Sequence, residues 1–208
     1  MNKFTILLGD FYHPAPNLQA SLEKLYLNNS QIQLNFVNIE AINESLLNQT
    51  DLLIIGRENR INPKDKILQY WMDEQKANDI TQFVQNGGSM LVCHSGLSSY
   101  EQNDQYIQLV KGYFKFHPKV QQIVNYHNNN QDHDSFSFLD EHYFVSVDEQ
   151  NTEIFLTSTS VDGESIAGWR HTYGKGKVCC ITPAHHKEAL LHHDMLKLLE
   201  HCTNWCLE

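Results

Sequence analysis

Basic side chains are the scarce class in this sequence. Only 15 Lys and Arg stand against 25 Asp and Glu, a formal charge of −10, so the chain lacks the cationic surface that holds nucleic acid or an anionic membrane. Long apolar runs are missing as well. No stretch reaches the ~20 residues needed to span a bilayer. The opening MNKFTILLGDFYHP has too short an apolar run, and no small-residue cleavage site, to read as a secretion signal. Disulfide spacing is absent: Cys93, Cys179, Cys180, Cys202 and Cys206 are an odd set with no framework pattern, which predicts reduced thiols in a cytoplasm. There is no HExxH pair. The Tyr173-Gly174-Lys175-Gly176 turn lacks the following helix of a phosphate loop, which argues against a nucleotide. With no internal repeat and no linker, 208 residues predict one domain over 1–208.

What is present is enough apolar material for a sizeable core, 41% of residues, arranged with clear periodicity. Residues 4–9, 32–37, 51–56 and 89–93 read as strands, the third covered on both faces. Between them, 17–28 is an amphipathic helix with Leu18, Leu22, Leu25 and Leu27 toward a core, and 78–85 continues a helix closed by Gly87. This β-α rhythm predicts a mostly parallel sheet with helices on both faces. The second half is less regular. Strands are expected at 120–126, 143–147, 153–157, 166–171 and 178–181, with a polar loop at 128–134. A single long helix over 187–205 closes the chain. On a strand, Cys179 and Cys180 point to opposite faces, and Cys202 and Cys206 sit as small core residues on the last helix.

Open parallel sheets bind ligands beyond the carboxyl ends of their strands. Gly9-Asp10-Phe11-Tyr12-His13, Cys93-His94-Ser95-Gly96 and Ala184-His185-His186 all fall at such ends, and Asp140-Glu141-His142-Tyr143 follows the polar loop. The strand-to-turn passage at Cys93-His94 has the form of a nucleophile elbow, whose flanking positions must be small so that strand and turn can approach. With Cys93 at the apex the flanks are Leu91 and Ser95; with His94 they are Val92 and Gly96. Gly96 favours His94.

These stretches carry a resemblance. GGSMLVCHSG, GYFKFHP, LDEHYF, AGWRHTYGKGKVCCITPAHH and the final NWCL, in this order, resemble the ThuA-like (trehalose utilisation) family of the class I glutamine amidotransferase-like superfamily. The resemblance implies a flavodoxin-like α/β three-layer sandwich and a role in carbohydrate metabolism, on trehalose, related disaccharides or their keto forms. Two departures are visible: the family's Gly-His after the last strand is Ala184-His185, and its His-Pro-Ile-Thr is reduced to His133-Asp134-Ser135.

The expected machinery is acid–base. Imidazole titrates near neutrality, so His94 and His185, with Asp140 or Glu141, are the candidate catalytic groups. Asp10, His13, Ser95, Tyr143 and Trp169 are candidate substrate-binding groups, the Trp as a face for sugar C–H surfaces. No cofactor is expected, although His13, His94, His185 and a carboxylate would also suit a divalent metal such as Zn²⁺. Two further readings stand beside this one. Cys93, His186 and Glu188 have the residue types of a cysteine hydrolase or amidotransferase triad. A non-catalytic sugar-binding or complex-forming protein would keep the fold without the chemistry. The expected partner is a small-molecule sugar, not nucleic acid or membrane, and a homo-oligomer is left open.

Overall fold

The computed structural model describes residues 1–129 and 135–208. Most of the expected polar loop, including His133 and Asp134, lies outside the described residues. In the first half, β1 (Asn2–Leu8), α1 (Ala15–Tyr26), β2 (Ile32–Val37), α2 (Glu44–Leu47), β3 (Leu52–Gly56), α3 (Glu74–Gln85) and β4 (Ser89–Cys93) alternate. Local chemistry sets these limits. The Asp73 side chain accepts the Lys76 N–H at the start of α3, and Gly87 follows its end with φ of +120°.

In the second half, α4 (Asp104–Val110) and β5 (Gly112–Phe116) precede β6 (Gln122–Asn128), β7 (Phe136–Asp140), β8 (Phe144–Val147), β9 (Glu153–Ser160), β10 (Gly163–Tyr173) and β11 (Gly176–Ile181). Helices α5 (Lys187–Leu190) and α6 (His193–Leu207) close the chain. One 9-stranded sheet runs β2-β1-β3-β4-β11-β10-β9-β6-β7, and β5 pairs with β8 separately.

The sheet is mixed, which corrects the expectation of a mostly parallel one. Strands β2, β1, β3, β4 and β11 are parallel neighbours. From β11 outward to β7 every pairing is antiparallel. The reason is turn length: Gly174 and Lys175 alone separate β10 from β11, and so short a link only joins antiparallel strands.

Each face of the sheet carries its own apolar core. One gathers Phe4, Ile6 and Leu22 with Met195 and Leu199 of α6; the other gathers Leu53, Ile55 and Trp169 with Ile80 of α3 and Leu109 of α4. Cys179 enters the first and Cys180 the second, as strand alternation requires. Helices therefore cover both faces.

Two further expectations fail. Leu27 is 78% exposed, because α1 ends at Tyr26 and its apolar stripe ends with it. The long closing helix is two helices. The carbonyl of Leu190 accepts the buried Ser21 hydroxyl at 2.8 Å, and α6 restarts from His192 with extended backbone. His192 and His193, at the start of α6, are exposed.

Candidate active site

Four parallel strands that lie side by side, β1, β3, β4 and β11, deliver their following residues to one edge of the sheet. After β4 the chain turns sharply into a single 3₁₀ turn, His94–Leu97. His94 is the apex, with φ of +44°, a left-handed backbone that a non-glycine residue rarely adopts. The flank argument has a steric counterpart here: a Cβ on Gly96 would stand 2.4 Å from the Ile55 carbonyl oxygen and 2.8 Å from a Val92 methyl. Only glycine fits.

The apex delivers His94 into a cluster. Its Nδ1–H donates to the Thr182 carbonyl at 2.6 Å, which leaves Nε2 unprotonated, 3.3 Å from His185 Nδ1. Glu141 Oε2 lies 3.1 Å from the same His185 atom and 3.8 Å from His94 Nε2. The ring of Tyr143 stacks on His94 with centroids 3.9 Å apart. His13 completes the group, its ring 5.0 Å from that of His94 and 4.8 Å from that of His185.

Two buried carboxylates hold this cluster from behind. Asp10 accepts the His13 Nδ1–H at 2.7 Å and the backbone N–H groups of Tyr12, His13 and Glu58. Asp140, the last residue of edge strand β7, accepts the His185 N–H at 2.8 Å and the Tyr126 hydroxyl at 2.7 Å. Both side chains are fully buried and held by these bonds, Asp10 behind His13 and Asp140 behind His185.

Burial and these partners set the charges. Burial pushes His94 down to about 4, a shift the Glu141 hydrogen bond only partly opposes. For Glu141 burial alone would raise the carboxyl, but hydrogen bonds and charge from His185 and His94 hold it well below the usual range. His185 moves up: burial opposes its charge, and the Glu141 contact outweighs burial. Asp10 is drawn down to about 2, its His13 and backbone bonds overcoming desolvation. Burial lifts Asp140 to about 6 against the bonds from His185 and Tyr126.

The rest of the expected site divides clearly. Ser95 is buried and borders a void of about 30 Å³ beneath the histidines. Trp169 is a correction: it is fully buried in the core on the α3 and α4 side, its indole N–H donating to the Val110 carbonyl. A Trp on an alternating strand faces inward where strand and helix meet, and no substrate reaches it. The Cys93 triad is not assembled either. Cys93 belongs to the core with Phe4 and Leu22, and burial drives its thiol far above the ordinary range. His186 contacts Gln121, Glu188 is exposed, and no hydrogen bond joins the three residues among those described.

Several groups at the site were not among the expected site residues. A cavity of about 440 Å³ opens over the cluster, lined among others by Tyr12, Glu58, Arg60 and His117. Glu58 is 1% exposed; one oxygen accepts from Arg60 at 2.6 Å, and the other is buried without a partner. Phe11 and Tyr12, 57% and 45% exposed, stand together just before His13. The strand-end rule that singled out β1, β4 and β11 applies equally to Arg57-Glu58 after β3, and would have found them. His13, His94, Glu141 and His185 each offer a donor atom, all within 4.8 Å of one another, and no other such cluster occurs among the described residues.

A family model described as ThuA, trehalose utilisation, matches residues 5–206. No curated protein matches the sequence. Among solved structures, a ThuA-like protein from Bacteroides uniformis is 14% identical, with a TM-score of 0.78 over 99% of this chain and 91% of that one. A ThuA-like protein from Parabacteroides merdae is 13% identical, with a TM-score of 0.76 over 99% and 90%. A β-galactosidase from Bacillus circulans shares the fold over 97% of this chain but only 30% of its own length, at 13% identity and a TM-score of 0.60.

Proposed function

The chain belongs to the ThuA family, and from that premise we propose that it is a carbohydrate-processing enzyme acting on a disaccharide such as trehalose, or a keto sugar, through His94, His185 and Glu141. The same reading places the fold in the flavodoxin-like, class I glutamine amidotransferase-like group of three-layer sandwiches, and the protein in the cytoplasm. The observation that carries the function is the cluster itself: Glu141 Oε2 and His185 Nδ1, 3.1 Å apart, border a cavity of about 440 Å³. That volume suits a small ligand.

The chemistry follows from the geometry. Isomerising or hydrating a sugar carbonyl moves one proton to or from the carbonyl oxygen and another at a neighbouring atom. A carboxylate and an imidazole in hydrogen-bond contact supply a base and an acid for those two sites. Neutral His94, held by Thr182 and Tyr143, fixes the floor on which they stand. Glu58 and Arg60 on the cavity wall offer polar groups to hydroxyls, and the exposed Phe11–Tyr12 pair offers aromatic faces to sugar C–H surfaces.

The test is turnover. Purified protein is assayed on a panel of disaccharides and their keto forms, and Glu141→Gln should lower the rate by ~10²–10⁴ with an unchanged circular dichroism spectrum. A wild type that binds a panel sugar but turns over none would remove the enzyme reading and leave a binding protein.

A further inference from the structure

We propose that His13, His94, His185 and Glu141 bind a first-row divalent transition-metal ion of the zinc type. The inference concerns the cluster just described but does not depend on its substrate, since it rests on donor atoms alone.

Spacing is the first argument. Bonds of about 2.0–2.1 Å to nitrogen or oxygen give a tetrahedron with edges of roughly 3.3 Å. The gaps of 3.3 Å between His94 Nε2 and His185 Nδ1, and of 3.1 Å between His185 Nδ1 and Glu141 Oε2, match that edge. The third gap, His94 to Glu141, is 3.8 Å, and His13 completes a set spanning no more than 4.8 Å. A small inward shift of His13 closes the shell.

Tautomers are the second. A ligating imidazole donates its other ring N–H to a carbonyl or a carboxylate, which fixes the tautomer and orients the ring. His94 does this toward Thr182 and His13 toward Asp10. In the neutral tautomer that metal binding needs, each ring then offers the lone pair of Nε2, and that of His13 is buried with no partner. A buried unpartnered nitrogen is costly, and a cation beside it would remove that cost.

Donor chemistry is the third. Three imidazoles and one carboxylate suit zinc, manganese or cobalt, whereas Mg²⁺ and Ca²⁺ take oxygen shells. With Asp10 behind His13 and Asp140 holding the His185 backbone, the shell is supported from outside on two sides. With His185 and Glu141 as its ligands, the ion would replace their direct proton passage and would polarise a sugar carbonyl that enters from the cavity as a fifth ligand.

The experiment is metal titration of the full-length chain after removal of bound ions with a chelator. Zn²⁺ should bind at one equivalent per chain by calorimetry and elemental analysis, Mg²⁺ should not compete, and Co²⁺ should give visible d–d absorption. Glu141→Gln and His94→Ala should each weaken Zn²⁺ by 100-fold or more, and Asp10→Asn by about 10–100-fold as an outer-shell group. Replacing exposed His192 and His193 together should change nothing. Glu141→Gln keeps the side-chain shape, so a folding failure of His94→Ala leaves the test intact. Substoichiometric zinc, or zinc held equally by Glu141→Gln, would overturn the proposal. Sugar turnover by fully chelated protein would remove the ion's role while keeping the enzyme; stoichiometric zinc without turnover on any sugar would keep the ion and remove the enzyme.

Discussion

Cys93 and His94 are adjacent in sequence and opposite in environment. The thiol faces the α1 and α6 core and the imidazole faces the cluster, because successive residues at a strand end point to different sides. All five cysteines are buried, so iodoacetamide should label the native protein slowly and the urea-unfolded protein fast. Cys93→Ala should keep its fold and its activity at a cost of about 1 kcal/mol in urea unfolding; loss of activity in a folded variant would restore the cysteine as nucleophile. Asp140 makes the opposite case. Asp140→Ala would leave the His185 N–H and the Tyr126 hydroxyl buried without an acceptor, at a penalty of about 3 kcal/mol for the two groups. Denaturation should show that loss, together with weakened turnover. Histidine, glycine and strand-end position made His94, His185 and His13 legible in the sequence. The inward commitment of Asp10, Asp140 and Trp169 was not legible, because which face a polar group meets depends on partners far away in the chain.

Among the elements, the β4 elbow depends on one missing methyl group. Gly96→Ala would drive a Cβ into the Ile55 backbone, and backbone cannot rotate aside as a side chain can. A loss of at least about 2 kcal/mol is expected from overpacking, read by thermal melting, with turnover falling as His94 is displaced. The first half was legible at this scale because β3 and β4 are fully buried runs and β2 alternates along its length: β2 and β4 fall where periodicity put them. In the second half the expected strands meet β6, β8, β9, β10 and β11, whereas α4, β5 and β7 were not expected. β6 and β7 present Ile123 and Leu139 to solvent, 58% and 52% exposed, so their apolar pattern does not report a core face. The break between α5 and α6 escaped because the hydroxyl of Ser21, far off in sequence, satisfies the carbonyl where the helix stops.

For the molecule as a whole, acid should act partly through His171. This buried imidazole bonds the Leu109 carbonyl at 2.9 Å, and burial pushes it down to about 4, whereas an unfolded histidine titrates near 6.5. Between those values the unfolded chain binds the extra proton. The stability from a neutral His171 is therefore complete above about pH 6.5 and is lost as the pH falls toward 4. His171→Gln should flatten the pH dependence of the urea midpoint in that window; an unaltered slope would show that the proton enters elsewhere. The layout of the cluster has a kinetic consequence. His13 comes from the first strand end and His185 from the last, so nearly the whole chain must be threaded into place before the four donor atoms meet. Contacts between such distant parts of a chain form slowly. In refolding from urea, zinc uptake should trail helix formation and track the slowest recovery of tryptophan fluorescence. A ribosome-bound chain that has not yet released β11 would have no site at all.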